Sequence, residues 1–159
     1  MNGTEVAAPA SRRTGRTHPL RRIGVTGLVA TLAAMVATAV AAALARAVGV
    51  DFEVPEGGET IPVTGVAVVT GFFSLVGTVI AAALLRWSAR PAERFVWTAV
   101  SLTAASLVPP FLSGANAGTT AALLGLHLVA ATVMIPTLTR SLRVIAQRSE
   151  HLTGSIDAE

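Results

Sequence analysis

Long stretches without a charged residue constrain this chain more than any other feature of its sequence. Two of them, Ile23 to Ala45 and Ile61 to Leu85, contain no Asp, Glu, Lys or Arg. A helix needs about 20 such residues to cross a hydrocarbon core about 30 Å thick. Because 52% of the chain is hydrophobic and only 13% is charged, it carries more apolar surface than a soluble domain of 159 residues buries. The sequence therefore predicts an integral membrane protein.

Two further apolar segments complete a predicted set of four membrane spans. The third contains Pro109 and Pro110, so we expect it to begin near Pro91 and to be kinked or broken at the prolines. The fourth follows the polar turn SGANAG and has Pro136 near its end. Because short connections make neighbouring helices antiparallel, the predicted fold class is all-α, a four-helix transmembrane bundle of up-down topology.

These spans define the predicted domain organisation. Residues 1–22 are predicted to be a disordered basic tail, because they mix Gly, Pro, Ser, Thr and Arg without an apolar period. A four-span membrane domain is predicted at 23–139 and a second, disordered tail at 140–159. The spans lie at about 23–45, 61–85, 92–112 and 119–138.

The positions of the arginine residues predict the orientation in the membrane. Five of the 12 basic residues, all of them Arg, precede Ile23; three lie between Arg86 and Arg94, three follow the fourth span, and Arg46 alone lies elsewhere. Basic residues accumulate in cytoplasmic connections of membrane proteins, and Trp favours the membrane boundary, where Trp87 and Trp97 fall. We therefore expect a multi-pass protein of the cell (plasma) membrane with both termini cytoplasmic.

An export signal is the alternative for the first span. Arg21-Arg22 precede the apolar run, and Ala43-Leu44-Ala45 at its end matches a small-residue cleavage site. The run is longer than the roughly 7–15 residues of a signal core, which favours a retained span. Cleavage would leave the sidedness of the other three spans unchanged.

Composition also bears on the partners. The sequence pI of about 11.3 is typical of a nucleic-acid-binding protein. Because the Arg residues flank apolar runs, however, we expect the lipid bilayer as partner and no nucleic acid. The chain has no Cys, which excludes disulfides, thiolate metal sites and cysteine nucleophiles.

Four sequence segments resemble an uncharacterised actinobacterial family of small four-span membrane proteins. The segments are GVDFEV after the first span, RFVWTAVSL opening the third, SLVPPF closing it, and LLGLHLVAATVMIPTL in the fourth. The resemblance covers roughly Arg22 to Leu142 and implies the four-span architecture. It implies no catalytic residue, because no activity is established for that family.

His127 is the one titratable residue at predicted membrane depth, eight residues after Thr119 and therefore about 12 Å below the surface. The same depth on the other spans predicts a polar layer whose ligand-lining candidates are Thr38, Thr70, Ser74, Ser101 and His127. One interpretation is that these groups hydrogen-bond across helices and hold the bundle together. The other is that they line a small polar cavity that binds a ligand or passes a proton.

Two other patterns leave alternatives open or indicate little chemistry. Thr70, Ser74, Thr78 and Ala82 form a small-residue stripe on the second span, which favours close packing within the chain or homodimerisation. The loop VDFEVPEGGET carries four carboxylates but lacks the ligand spacing of a calcium loop, so we expect solvated charge.

No predicted span contains a carboxylate or a basic residue, and no nucleophile elbow, zinc helix, phosphate loop or dinucleotide fingerprint occurs. We therefore expect no enzyme activity, no cofactor and no metal. The leading hypothesis is a non-enzymatic assembly or interaction protein, with a second copy or another membrane protein as partner. The alternative is a small-molecule carrier or ligand-binding bundle that uses the polar layer around His127.

Overall fold

Each apolar segment forms a helix in the computed structural model, which describes residues 17–54 and 59–154. The elements in chain order are α1 (Thr17–Ala47), β1 (Glu53–Val54), β2 (Glu59–Thr60), α2 (Val63–Trp87), α3 (Pro91–Ser106), α4 (Val108–Leu112) and α5 (Ala117–Gly154). Four segments are long and apolar enough to cross a membrane: His18–Ala47, Val63–Trp87, Pro91–Leu112 and Ala117–Arg148. The predicted all-α fold with four spans is confirmed; the only departure in the described ranges is the pair of two-residue strands.

The helices pack around a shared interior, in which α1 and α3 each contact both α2 and α5. One end holds the start of α1, the connection from α2 to α3 and the last turns of α5, and we call it the arginine end. The other end holds the antiparallel β1–β2 pair, in which Glu53 lies opposite Thr60, together with the turn at 113–116. We call it the hairpin end.

Both outer helices extend beyond the predicted spans. Six residues predicted to belong to the first tail are already helical in α1, where Pro19 lies in the first turn and so costs no helical hydrogen bond. The predicted tail from 140 is helical through Gly154, because an apolar stripe continues past the span: Leu138, Leu142 and Ile145 are all buried. Residues 1–16, 55–58 and 155–159 lie outside the described ranges.

The third span breaks where the prolines predict it. Helix α3 ends at Ser106, whose hydroxyl donates to the carbonyl of Thr103 at 2.7 Å, and α4 starts at Val108. Pro109 and Pro110 lack the N–H groups that would continue the α-helical ladder across Leu107. The span therefore consists of two helical pieces joined at one residue.

Two apolar clusters form the interior. The arginine-end cluster is built from Ile23, Ala30, Ala34, Ala81, Phe95, Met134, Leu138, Leu142 and Ile145. The hairpin-end cluster is built from Ala42, Phe52 and Leu126. Large apolar side chains also cover the outside, where Val36, Phe73 and Val79 are 64%, 65% and 68% exposed. Such a surface is suited to lipid rather than water.

Two glycines allow α1 and α2 to approach closely. A Cβ atom on Gly27 would lie 2.1 Å from Cγ2 of Thr78, and one on Gly71 would lie 2.8 Å from Sδ of Met35. On α2, Gly71, Ser74, Thr78 and Ala81 are buried. The predicted small-residue stripe thus packs within the chain, and helices in lipid are stabilised by close contact of this kind.

Candidate functional site

The predicted polar layer begins with a contact between Thr38 of α1 and Thr70 of α2. Their Oγ1 atoms lie 3.2 Å apart, and Oγ1 of Thr38 is also 2.9 Å from the carbonyl oxygen of Ala34. A hydroxyl has one proton, so when Thr38 donates to Ala34 it accepts from Thr70. Thr38 is fully buried, and in this arrangement each of the two hydroxyl protons has an acceptor. The pair therefore links α1 to α2.

Ser74 lies one turn further along α2 and is also buried. Its backbone carbonyl accepts a hydrogen bond of 3.0 Å from Oγ1 of Thr78. Thr78 packs against Gly27 of α1. Because Ser74 lies one turn before Thr78 on the same face of α2, it belongs to the same close α1–α2 interface. Both polar side chains of this turn therefore serve helix packing.

His127 makes its hydrogen bond within its own helix. Nδ1 lies 2.8 Å from the carbonyl oxygen of Leu123, and a carbonyl only accepts, so Nδ1 carries a proton. In the corresponding neutral tautomer Nε2 is an acceptor, and no hydrogen bond to it occurs among the described residues. Among the described residues no hydrogen bond joins His127 to Thr38, Thr70 or Ser74. The imidazole is half-buried beside Leu126 of the hairpin-end cluster.

Ser101 is not part of the polar layer. It is exposed on α3, where Leu102, Ala104 and Ala105 are exposed as well. A depth count along one helix gives the level of a residue in the membrane but not the direction in which its face points. The structure thus brings Thr38 and Thr70 together, places Ser74 one turn further along α2, leaves His127 bonded to its own helix, and turns Ser101 outward.

Three buried hydroxyl groups were not predicted from the sequence. Oγ1 of Thr31, Oγ1 of Thr139 and Oγ of Ser141 have no hydrogen-bond partner within the described ranges. Thr31 lies seven residues before Thr38, two turns along the same face of α1, and this spacing was the signal that could have identified it. Thr139 and Ser141 fall beyond the predicted fourth span, where no buried face was expected.

A second polar cluster closes the hairpin end. Oδ1 of Asp51 accepts hydrogen bonds from Nδ2 of Asn116 at 3.4 Å and from Oγ1 of Thr119 at 3.3 Å. These bonds, that from Asn116 foremost, lower the pKa of Asp51 below its ordinary value of 3.8, although partial desolvation opposes them. Asn116 also caps α5, because its Oδ1 accepts from the Thr119 N–H at 2.8 Å. Asp51 is exposed, as predicted for solvated charge, and it also links the first loop to the start of α5.

Phe52 anchors the same loop. It is 1% exposed, lies in the hairpin-end cluster and has a φ of 55°, in the left-handed region that a bulky side chain rarely adopts. The guanidinium carbon of Arg46 lies 5.7 Å from the centre of its ring, and Nη2 of Arg46 donates to the carbonyl of Ile61. The packing of one aromatic ring therefore holds the backbone in an uncommon conformation.

The described residues contain no group of three His, Cys, Asp or Glu placed to hold a metal ion. Two open grooves, of about 460 and 410 Å³, lie at the arginine end, and neither is lined by a residue of the polar layer. The polar side chains between α1 and α2 can therefore stabilise the bundle, but they do not line either of the two grooves.

Four helices long and apolar enough to cross a membrane define a multi-pass α-helical membrane protein, in which the Thr38–Thr70 contact joins α1 to α2. The chain belongs to a family described as "Family of unknown function (DUF6069)", whose model matches residues 18–144. Searches of curated proteins and of solved structures found no match. The family match covers the first three spans and the fourth as far as residue 144.

Proposed function

We propose that this protein is a non-enzymatic component of the cell membrane that works by lateral association with another membrane protein, a second copy included. The observation that carries the proposal is the exposure of α3. The span that α3 begins has the smallest buried share of its apolar segment, 11% against 17–28% for the other three spans. Its outer surface also carries the hydroxyl of Ser101, for which lipid offers no hydrogen-bond partner.

The exposed residues of α3 suit contact with another helix. Trp97, Ser101 and Ala105 follow one another at intervals of four and are all exposed. Small side chains allow a second backbone to approach closely, and a Ser hydroxyl then finds an acceptor across the interface. Association through α3 would satisfy Ser101 without moving any helix of the bundle.

A cross-linking experiment tests this proposal directly. The chain has no Cys, so Ser101→Cys and Ala105→Cys introduce single thiols. Val36→Cys is the matched control, because Val36 is 64% exposed on α1. In native membranes we expect oxidative or partner cross-links from the two α3 positions and few from Val36. Equal yields from all three, or no cross-linked partner from α3, would contradict lateral association through this helix.

The orientation with both termini cytoplasmic is part of the proposal. The antiparallel helices bring Arg21 and Arg22, the connection from Arg86 to Arg94, and Arg140 to Arg148 to the same end of the bundle. Exposed Trp87 and Trp97 lie near that end, which supports a membrane boundary there. Reporter fusions at either terminus are expected to be active only as cytoplasmic reporters; a periplasmic signal from either end would reject the orientation.

A ligand-binding or carrier role around His127 is less well supported. Thr38 and Thr70 satisfy each other, Ser101 faces outward, and neither described groove reaches His127. Purification in nanodiscs separates the two functions. A protein that co-purifies consistently favours assembly, whereas a bound small molecule lost in His127→Leu favours the carrier.

A further inference from the structure

A groove at the arginine end combines positive charge with an apolar wall. It lies between the start of α3 and the last turns of α5, has a volume of about 410 Å³, and is lined by Arg90, Arg143 and Gln147 beside Ala92, Val96 and Trp97. A second groove of about 460 Å³ shares Arg90 and Trp97 and adds Arg94 and Thr98. The two grooves form one continuous surface around the start of α3.

The charge of this surface is only partly neutralised. Among the described residues that line it, Glu93 is the one carboxylate. It lies 3.6 Å from Arg90 in a pair in which the Arg90 side chain is 79% exposed and the Glu93 side chain 59%. An ion pair this exposed contributes little binding energy and is easily displaced. Among the residues whose side chains the structure describes, Arg94 and Arg143 have no carboxylate partner. Arg143 lines the first groove and Arg94 the second, so each groove holds a guanidinium group without a counter-charge from those residues.

The position of the groove identifies the kind of anion. Trp97 is 70% exposed and lies less than two turns into α3, where an indole marks the boundary between headgroups and hydrocarbon. Val96 and Trp97 continue from the charged groups towards the lipid-facing surface of α3. A ligand with a charged head and apolar chains fits both parts, whereas a free anion would contact only the arginines.

We propose that this groove binds the phosphodiester headgroup of an anionic glycerophospholipid. The guanidinium groups of Arg90 and Arg143 provide paired N–H donors that match phosphate oxygens, and the amide of Gln147 is a further donor. The acyl chains then lie along Val96 and Trp97. Basic pockets between membrane helices recognise lipid headgroups by this combination of charge and depth. The groove shares Trp97 with the α3 face proposed above for lateral association, but Arg90, Arg143 and Gln147, which would hold the headgroup, lie outside that face.

The test uses the full chain in nanodiscs that contain phosphatidylglycerol and phosphatidylcholine, with retained lipid counted by native mass spectrometry. We expect phosphatidylglycerol to be retained selectively, and Arg90→Gln together with Arg143→Gln to weaken retention about tenfold. Arg140→Gln with Arg148→Gln is the matched control, because both residues are exposed and neither lines the groove. The control removes the same charge and is expected to retain the lipid.

Glu93→Gln is expected to have the opposite effect and to strengthen retention of phosphatidylglycerol. It removes the one carboxylate among the described residues that line the two grooves. Equal loss in the test and control pairs would show attraction by net charge alone and overturn the proposal. Equal retention of the two lipids would overturn it as well. Competition by millimolar inorganic phosphate without lipid selectivity would reassign the groove to a soluble anion.

Discussion

Thr38 and Thr70 join α1 to α2 through hydroxyl oxygens that lie 3.2 Å apart in the middle of the bundle. Thr38 also contacts the carbonyl of Ala34, so removal of Thr70 leaves it with a hydrogen bond. We expect Thr70→Val to lower the free energy of unfolding by only about 0.6 kcal/mol, the average for such bonds in membranes. Steric-trap unfolding in bicelles measures it, and a loss several times larger would show that the pair does more than link two helices.

Gly27→Ala is expected to destabilise the protein by about 1–3 kcal/mol, because the new Cβ would lie 2.1 Å from Cγ2 of Thr78 and force α1 and α2 apart. Gly24→Ala is the control, since a Cβ added there would meet no atom within 4 Å. The double variant Gly27→Ala with Thr78→Ala should recover part of the loss in the same unfolding assay. Equal stability of the two single variants would contradict close packing at Gly27.

Phe52→Ala is expected to cost about 3–5 kcal/mol, because the ring is 1% exposed and fills the hairpin-end cluster. Phe72→Ala removes the same side chain from a position that is 63% exposed and should be nearly neutral. Thermal unfolding in detergent measures both. If the two variants lost the same stability, the ring of Phe52 would not anchor the loop.

Asp51 predicts a specific pH dependence. Hydrogen bonds from Asn116 and Thr119 lower its pKa in the folded protein below 3.8, so the ionised carboxylate stabilises the fold above that value. This contribution is lost as the pH falls through the lower, folded pKa. The difference in melting temperature between the wild type and Asp51→Asn should therefore be constant from about pH 5 to 8 and shrink below 3.8.

The matched control for Asp51 is Glu53→Gln, which removes a charge from the same loop. The side chain of Glu53 is exposed and makes no hydrogen bond among the described residues. We expect a smaller change in melting temperature at every pH. A larger effect from Glu53 than from Asp51 would show that general loop charge, and not the link to α5, provides the stabilisation.

His127→Leu tests the two interpretations of the polar layer. Because the one hydrogen bond of Nδ1 among the described residues is to the carbonyl of Leu123 in the same helix, we expect the unfolding free energy to change by less than about 1 kcal/mol. Growth and membrane insertion should be normal. A large defect in a folded variant would instead indicate that the free Nε2 has a role in binding or proton transfer.

Much of the architecture followed from the sequence because the bilayer imposes few choices. Uninterrupted apolar length gave the first, second and fourth spans, and the missing N–H groups of Pro109 and Pro110 gave the break in the third. The predicted start of α1 and the predicted end of α5 were wrong, because charged residues such as Arg21 and Arg143 are compatible with a helix whose other face is buried. Hydropathy indicates which segments can cross the membrane, but it does not indicate the residue at which a helix ends.

The candidate site was predicted less well, for a geometrical reason. Counting residues along each span placed Thr38 and Thr70 at a common depth, and they do meet. It could not give the rotation of each helix about its axis, which turns Ser101 outward and leaves His127 bonded to the carbonyl of Leu123 in its own helix. Nor could it foresee Asp51 bonding to Thr119, because that contact joins residues 68 positions apart through the fold of the hairpin end.

The placement of charge only at the two ends of the bundle has a consequence for how this protein responds to its environment. Moving one elementary charge across a membrane potential of 100 mV changes the free energy by about 2.3 kcal/mol, and voltage sensors depend on such charges within their helices. No Asp, Glu, Lys or Arg lies between Ile23 and Ala45, between Ile61 and Leu85, or between Phe95 and Leu112. These three segments therefore hold none of the side chains that carry gating charge in voltage sensors.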